Sequence, residues 1–191
     1  MDAALPVPSL VARARAGDRA AFCDLHRRFA RPVFLFLAGL LRRREDAEDA
    51  WQVAFLSAWR HLPRLREPEQ FSSWLFRIAR NAAHDVAERR RRWPGALPPG
   101  EDLLAACPPA GEGVADEAPV GAMLSTLEPQ TRALVLLRAV QGWSAEDVGA
   151  AMSWSVATVR RRYARALSLL RARIETRGAV GAEAWRPRHV P

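Results

Sequence analysis

The chain has 191 residues, of which 49% are hydrophobic, and it carries a formal net charge of +8 at pH 7. This length allows one large domain or two small ones with a buried core, and the positive charge indicates a polyanionic partner such as nucleic acid. Only two cysteines are present, Cys23 and Cys107, and their spacing matches neither a disulfide framework nor a zinc site. We therefore expect a reducing cytoplasm and no cofactor.

Neither the N-terminus nor the most apolar stretch predicts a membrane or export signal. The first 18 residues lack a basic segment followed by an apolar one, so we expect no secretory signal. The stretch 32–41, PVFLFLAGLL, is about half as long as a membrane span. We interpret it as a core helix and do not expect a membrane protein.

Charge divides the chain into three regions. Residues 1–92 hold 18 arginines and 11 acidic residues, residues 93–131 hold 6 acidic residues and no basic one, and residues 132–191 hold 11 arginines and 4 acidic residues. The middle of the chain is rich in Pro, Gly and Ala, which predicts a linker over 94–118. The sequence thus predicts one module over 1–93, a second over 119–175 and a disordered tail over 176–191.

The first module is predicted to be a bundle of three or four helices. Asp18, after a glycine, is a plausible helix N-cap, and no alternation typical of strands occurs between turn signals. Apolar residues recur at helical spacing in three stripes, and we expect these to form the core. The stripes are Leu25, Phe29, Val33 and Phe36; Ala47, Trp51, Ala54, Ala58 and Leu62; and Phe71, Leu75, Ile78, Ala82 and Val86.

The second of these helices has a polar face formed by Glu48, Asp49 and Gln52. Residues three and four apart are neighbours on a helix surface. An acidic first turn that complements the helix dipole explains Glu45 and Asp46, but Asp49 and Gln52 lie beyond that turn. The residues alone leave two interpretations equally open, a protein interface and a solvated face.

The third helix is strongly basic on its outer side. Arg77, Arg80 and the run Arg89 to Arg92 lie off its apolar stripe. These arginines form either a solvated helix end or a phosphate-binding stripe, and the high positive charge of the chain favours phosphate binding. We expect Trp74, on the same helix, to be a core residue.

The sequence of the second module predicts a helix-turn-helix. Pro129 suits the first turn of a helix through Val140, Gly142 ends that helix, and Ser144 with Asp147 caps the next helix as far as Met152. Ser155 caps a last, arginine-rich helix that runs to about residue 173. Two helices joined by a tight turn, the second of them basic, are typical of DNA-binding proteins.

The last helix carries the candidate groups for DNA contact. Its N-terminal half would enter the major groove, where arginine is a bidentate partner of guanine. Thr158, Arg161 and Arg165 share one face and Arg160 lies on another, so we assign Arg160 to phosphate. The residues that could reach DNA are Ser155, Thr158, Arg160, Arg161, Arg162 and Arg165.

Four segments in this order and spacing resemble the bacterial sigma factors of the extracytoplasmic-function (ECF) group, within the sigma-70 family. They are GDRAAFCDLHRRF, AEDAWQVAF, FSSWLFRIARNAAHD and the helix-turn-helix, and they cover roughly residues 9–93 and 119–173. The resemblance implies an all-α fold with a sigma2-like helical bundle and a sigma4-like helix-turn-helix domain. A flexible acidic linker would join the two.

The resemblance also implies a role for each predicted surface. The face of Glu48, Asp49 and Gln52 matches the surface that docks on the clamp helices of the polymerase beta-prime subunit. The helix from Ser155 to Arg165 matches the one that binds the minus-35 element. The positions that match the minus-10 contacts are Leu65, Arg66, Glu67, Gln70, Ser72, Arg77 and Arg80.

Several positions depart from the pattern of the group. Arg161 stands where serine is usual, Gly149 where alanine is usual, and Ser153 and Trp154 form a turn that often contains glycine. The promoter sequence therefore cannot be transferred from the group. The expected partners are core RNA polymerase, through the beta-prime clamp helices and the beta flap, promoter DNA, and a soluble or membrane-anchored anti-sigma factor, all in the bacterial cytoplasm.

Three other classes of protein were considered. An enzyme is disfavoured because His84 and Asp85, adjacent on a helix, point about 100° apart and do not converge on a substrate. A helix-turn-helix repressor with a helical dimerisation domain leaves the acidic linker and the face of Asp49 and Gln52 unexplained. A sigma-like adaptor that binds partners without DNA leaves the arginines of residues 160–165 unexplained.

Overall fold

The structure is a computed structural model that describes residues 5–92 and 123–176. Within these two ranges the chain is made of helices and their connections, without strands. The all-α fold predicted from the apolar periodicity is confirmed for the described residues. The predicted linker and tail, together with Cys107, lie outside them.

The first module contains four α-helices. The Asp18 carboxylate caps the second of them by accepting a hydrogen bond from the Ala21 N–H at 3.1 Å, as predicted. Two short 3₁₀ turns, Leu62–Arg64 and Pro68–Gln70, follow the third helix, and each has a proline in its first turn. The helices are α1 (Val7–Arg15), α2 (Arg19–Leu40), α3 (Arg44–His61) and α4 (Phe71–Arg92).

Aromatic rings fill the core between α2, α3 and α4. Phe29 meets Phe71 edge-on with ring centroids 5.3 Å apart, and Phe36 meets Phe76 at 5.1 Å. The indole N–H of buried Trp51 donates to the Ala30 carbonyl at 3.0 Å. The three predicted stripes are buried except at Ile78, which is half-buried.

His26 lies in this core without a polar partner. Its side chain is fully buried, and both ring nitrogens lack a hydrogen-bond partner. The rings of Trp51 and Phe55 surround it, with centroids 5.0 Å and 4.6 Å away. Burial disfavours the charged imidazolium and lowers the pKa of His26 to about 4.

The fold should therefore lose stability in acid through His26. The native state releases this proton at about pH 4 and the unfolded chain at about pH 6.5, so the unfolded chain binds more protons between these values. The stability that depends on neutral His26 is fully present above pH 6.5. About 3 kcal/mol of the free energy of unfolding is lost as the pH falls to 4. Urea unfolding at pH 7 and pH 4.5 measures it.

A His26→Leu variant should lose less stability than the parent between pH 7 and pH 4.5. It should also be at least as stable at pH 7, because an unpaired polar group leaves the core. His84→Leu is the matched control, since His84 has 76% of its side chain exposed. Parallel pH profiles for the parent and the His26 variant would contradict the assignment.

Within residues 123–176, the second module has the helices α5 (Pro129–Val135), α6 (Ala145–Met152) and α7 (Val156–Thr176). The helix that begins as α5 continues through one wide π-helical segment, Leu136–Val140. Gly142 has φ +69°, a backbone conformation that glycine adopts without strain, and it ends this helix as predicted.

Both caps of the helix-turn-helix form as predicted. The Ser144 hydroxyl accepts from the Asp147 N–H at 3.0 Å, and the Asp147 carboxylate accepts from the Ser144 N–H at 3.2 Å, completing a capping box. The Ser155 hydroxyl accepts from the Thr158 N–H at 3.2 Å. These caps hold α6 and α7 on either side of a tight turn.

The two modules pack directly on each other, which the linker-based prediction did not include. The C-terminal half of α2 lies against α5, and the ring of Phe76 in α4 lies 4.9 Å from that of Trp143. The apolar stretch 32–41 is the reason: Phe34, Leu35, Phe36 and Leu37 are all buried, so α2 is covered on every side here. No helix within the described ranges is long and apolar enough to cross a membrane.

Candidate nucleic-acid interface

A cleft of about 560 Å³ opens between the 3₁₀ turns and α4. It brings together five of the seven residues predicted to contact the minus-10 element: Leu65, Arg66, Glu67, Gln70 and Arg77. Leu65 is buried at its base, whereas the other four side chains are exposed. The cleft thus combines an apolar floor with amide, carboxylate and guanidinium groups.

The other two predicted residues are placed differently. Ser72 is half-buried in the first turn of α4 and does not line the cleft. Arg80 lies one turn beyond Arg77, and its guanidinium donates to the Met152 carbonyl of α6 at 3.2 Å. The group that was predicted to bind DNA therefore binds the second module in this structure.

Trp74 packs against the core and also lines the cleft, which its predicted core position did not include. Its ring is half-buried and lies 5.9 Å from that of Phe71. The spacing of residues 70, 74 and 77 contains the missed signal, because residues four and three apart share a helix face. An aromatic ring beside amide and guanidinium groups provides stacking and hydrogen bonding for an unpaired base.

The arginines at the C-terminal end of α4 are largely paired within the protein. Arg90 donates two hydrogen bonds to the Asp46 carboxylate of α3, at 2.9 Å and 2.6 Å. Arg91 and Arg92 pair with Glu88 on their own helix at 3.0 Å and 3.5 Å. The ion pair of Arg90 joins two helices, so part of the predicted phosphate-binding stripe has a structural role.

The three residues on the polar face of α3 differ in exposure and in their partners. Glu48 pairs with Arg44 at 2.8 Å, and Gln52 is exposed. Asp49 is half-buried; burial raises the pKa of its carboxyl group, and the negative charge of Asp46 raises it further. The fold thus disfavours the charge on Asp49, and a cationic partner that covered it would favour that charge.

One side of α7 packs against the other helices of the second module, and the other side faces outward. Val159, Tyr163 and Ala166 are buried, whereas Arg161 and Arg165 are exposed. Neither of these two arginines forms an ion pair or hydrogen bond within the described ranges. With Arg162 they line a second cleft of about 580 Å³.

Arg160 and Arg162, on the same helix, both have partners within the protein. Arg160 pairs with Glu146 at 3.4 Å. Arg162 lies 4.4 Å above the centre of the Trp154 ring and donates to Glu128 at 3.3 Å. Ser155 and Thr158 share a hydrogen bond between their hydroxyl groups at 2.9 Å. Trp154 and Glu128, which sequence reasoning missed, therefore hold Arg162 against its own module.

The turn between α6 and α7 explains a departure from the group pattern. A Cβ atom on Gly149 would lie 2.8 Å from the Trp154 carbonyl oxygen, too close for alanine without a backbone shift. Ser153 adopts φ +58°, the left-handed conformation in which glycine is usual. The turn in this chain is tighter than an alanine at position 149 permits.

Comparisons with known proteins cover both modules. Residues 25–93 match the family model of sigma-70 region 2, and residues 118–170 match that of sigma-70 region 4. The RNA polymerase sigma factor CarQ of Myxococcus xanthus is 37% identical in an alignment of 164 positions that covers 83% of this chain and 92% of that protein. The ECF sigma-E factor of Haemophilus influenzae is 32% identical in an alignment of 186 positions that covers 87% of this chain and 94% of that protein.

A solved structure agrees with the fold. The structure of CnrH in complex with the cytosolic domain of CnrY superposes with a TM-score of 0.63 at 27% identity, covering 90% of this chain and 99% of that one. The two region matches fall on the two helical modules described above. The chain therefore belongs to the ECF sigma factors of the sigma-70 family.

Proposed function

We propose that the face of Glu48, Asp49 and Gln52 binds core RNA polymerase, that the cleft captures a base of the minus-10 element and that α7 binds the minus-35 element. The observation that carries this assignment is the exposure of Arg161 and Arg165 on a capped helix after a tight turn. Phosphate and guanine are the groups that such arginines bind best.

The parts of the helix-turn-helix have distinct roles. Arg161, Arg165 and Thr158 enter the major groove, whereas Arg160 contacts phosphate after leaving Glu146. Arg162, stacked on Trp154 and paired with Glu128, orients the helix and contacts DNA only at its edge. The contact with the polymerase beta flap is assigned to the second module as a whole.

The parts of the first module bind different strands and partners. Leu65 supports the floor of the cleft, and Arg66, Glu67 and Gln70 form hydrogen bonds with the captured base. Ser72, Arg77 and Arg80 bind the backbone next to it. The Asp49 carboxylate pairs with the basic groups of the polymerase clamp helices when they cover it.

We propose the domain limits that composition and helical spacing predict: 1–93, a linker over 94–118, 119–175 and a tail over 176–191. The chain acts in the bacterial cytoplasm as an initiation factor and carries out no bond chemistry of its own. The polymerase it recruits makes and breaks the bonds.

An anti-sigma factor is the proposed regulator. The related structure is that of CnrH in complex with the cytosolic domain of CnrY. RpoE of Bartonella quintana, bound to the anti-sigma factor NepR, shares the fold with a TM-score of 0.58 at 24% identity, covering 80% of this chain and 97% of that one. A partner of this kind would hold the two modules of this chain in the packed arrangement.

Transcription in vitro tests the proposal. The full chain is mixed with core RNA polymerase and a library of DNA duplexes with random upstream and downstream elements. We expect transcripts from a subset of templates that share both elements, and none from core polymerase alone. Transcripts that are equal with and without the chain would reject the function.

A further inference from the structure

Arg162 of α7 has two partners that lie on different elements of the second module. Its guanidinium lies 4.4 Å above the centre of the Trp154 ring and donates to the Glu128 carboxylate at 3.3 Å. Trp154 belongs to the turn before α7, whereas Glu128 immediately precedes α5. Two segments that are distant in sequence therefore hold one side chain, and this side chain is half-buried.

Glu128 is held in position by a second contact. The hydroxyl of Thr131, in the first turn of α5, donates to Oε2 of Glu128 at 3.1 Å. The same oxygen accepts the hydrogen bond from Arg162. The carboxylate is thus oriented by its own helix, and it presents its negative charge to one arginine of the neighbouring helix.

Arg162 lies at the border of the DNA-binding face of α7. It follows Thr158 by four residues and precedes Arg165 by three, so it is a neighbour of both on the helix surface. It also lines the same cleft as Arg161 and Arg165. A third guanidinium therefore lies within reach of this surface, and its ion pair with Glu128 neutralises it there.

A released arginine at this border would add affinity without discrimination. A phosphate contact strengthens binding to every duplex and carries no sequence information. On the element that α7 recognises, the base contacts of Arg161 and Arg165 fix the helix in the groove. On other sequences the helix can shift until Arg162 reaches a phosphate. Release of Arg162 would therefore favour the wrong sequences.

We propose that Glu128 is a specificity-determining residue of the helix-turn-helix. Together with Trp154 it keeps Arg162 at the edge of the DNA-binding face, so that recognition depends on Arg161 and Arg165. The inference rests on the proposed binding of α7 to the minus-35 element. Glu128 increases specificity by weakening the binding of wrong sequences and not by contacting a base.

Glu128→Gln tests this restraint, because it removes the charge and keeps the length of the side chain and one oxygen. Asp24→Asn is the matched control: it also removes an acidic group paired with an exposed arginine, Arg27, but on α2. Trp154→Leu removes the other partner of Arg162 and should change binding in the same direction as Glu128→Gln.

The measurement is the affinity of holoenzyme, made with the full chain, for two duplexes at several salt concentrations. Both duplexes carry the same downstream element; one has an upstream element selected from the transcription library and the other has that element scrambled. We expect Glu128→Gln to bind the scrambled duplex roughly threefold to tenfold more tightly, with a slope of log affinity against log salt concentration steeper by roughly one unit. Its affinity for the selected duplex should stay near the parental value, and Asp24→Asn should match the parent on both.

A double variant shows whether the effect depends on Arg162. Adding Arg162→Met should remove the gain that Glu128→Gln produces on the scrambled duplex. A gain that persists in this background, or Glu128→Gln that binds the scrambled duplex like the parent, would overturn the inference. The parent's preference for the selected duplex tests the function separately. With that preference intact the proposed function stands whatever Glu128→Gln does; without it, the function and this inference both fail.

Discussion

An Asp49→Arg variant is expected to lose retention of core RNA polymerase while keeping its helical fold. The proposed partner surface is cationic, so the substitution places like charges in contact, at a cost of several kcal/mol and hence more than 100-fold in affinity. The measurement is a pull-down of core polymerase by the tagged chain without DNA, quantified over a titration.

Two further variants separate charge from folding. Because the fold raises the pKa of Asp49, Asp49→Asn removes a destabilised charge and should unfold no earlier than the parent, while binding polymerase more weakly. Asp85→Arg is the matched charge reversal at an exposed position on α4. Retention of polymerase by folded Asp49→Arg at the parental level would remove Asp49 from the interface.

The arginines of α7 should separate into two classes when promoter binding is measured. Arg161→Ala and Arg165→Ala should each cost about 1–3 kcal/mol and relax the preference at one position of the upstream element, because each removes a base contact. Arg160→Ala should weaken binding to all DNA sequences alike, because it removes a phosphate contact. It should also reduce the slope of log affinity against log salt concentration by roughly one unit.

The assay uses holoenzyme made with the full chain, on duplexes selected from the transcription library, at several salt concentrations. Arg171→Ala is the control, since Arg171 is exposed near the other end of the same helix. If Arg161→Ala and Arg165→Ala both bind like Arg171→Ala, the arginine run is a solvated face and α7 has no base-recognising role.

The helices were predictable because their signals are local. Asp18, Ser144 and Ser155 each cap a helix with their own side chain, and the apolar stripes fix the face that each helix buries. The packing of one module on the other was not predicted, because it depends on residues far apart in sequence. Its one local sign was the apolar stretch 32–41, which has no polar face to leave in water.

The sequence predicts which residues form the candidate site, but not which of their side chains are free of partners within the protein. The segments that form both DNA-binding surfaces follow from helical spacing and charge. Which arginines are free depends on long-range partners: Glu128 is 34 residues from Arg162, and Asp46 is 44 residues from Arg90. A run of arginines shows the same charge whether its members bind a ligand or each other, so only the structure separates Arg161 from Arg162.

The π-helical segment Leu136–Val140 affects how this chain should be aligned with others. A π turn holds one residue more than an α turn, so the last residues of this helix are rotated by about 100° from where a regular helix would place them. Leu134 and Leu137 are fully buried, whereas Val140 is only half-buried. An ungapped alignment to a relative with a regular helix here would compare inward positions with outward ones at the end of the helix.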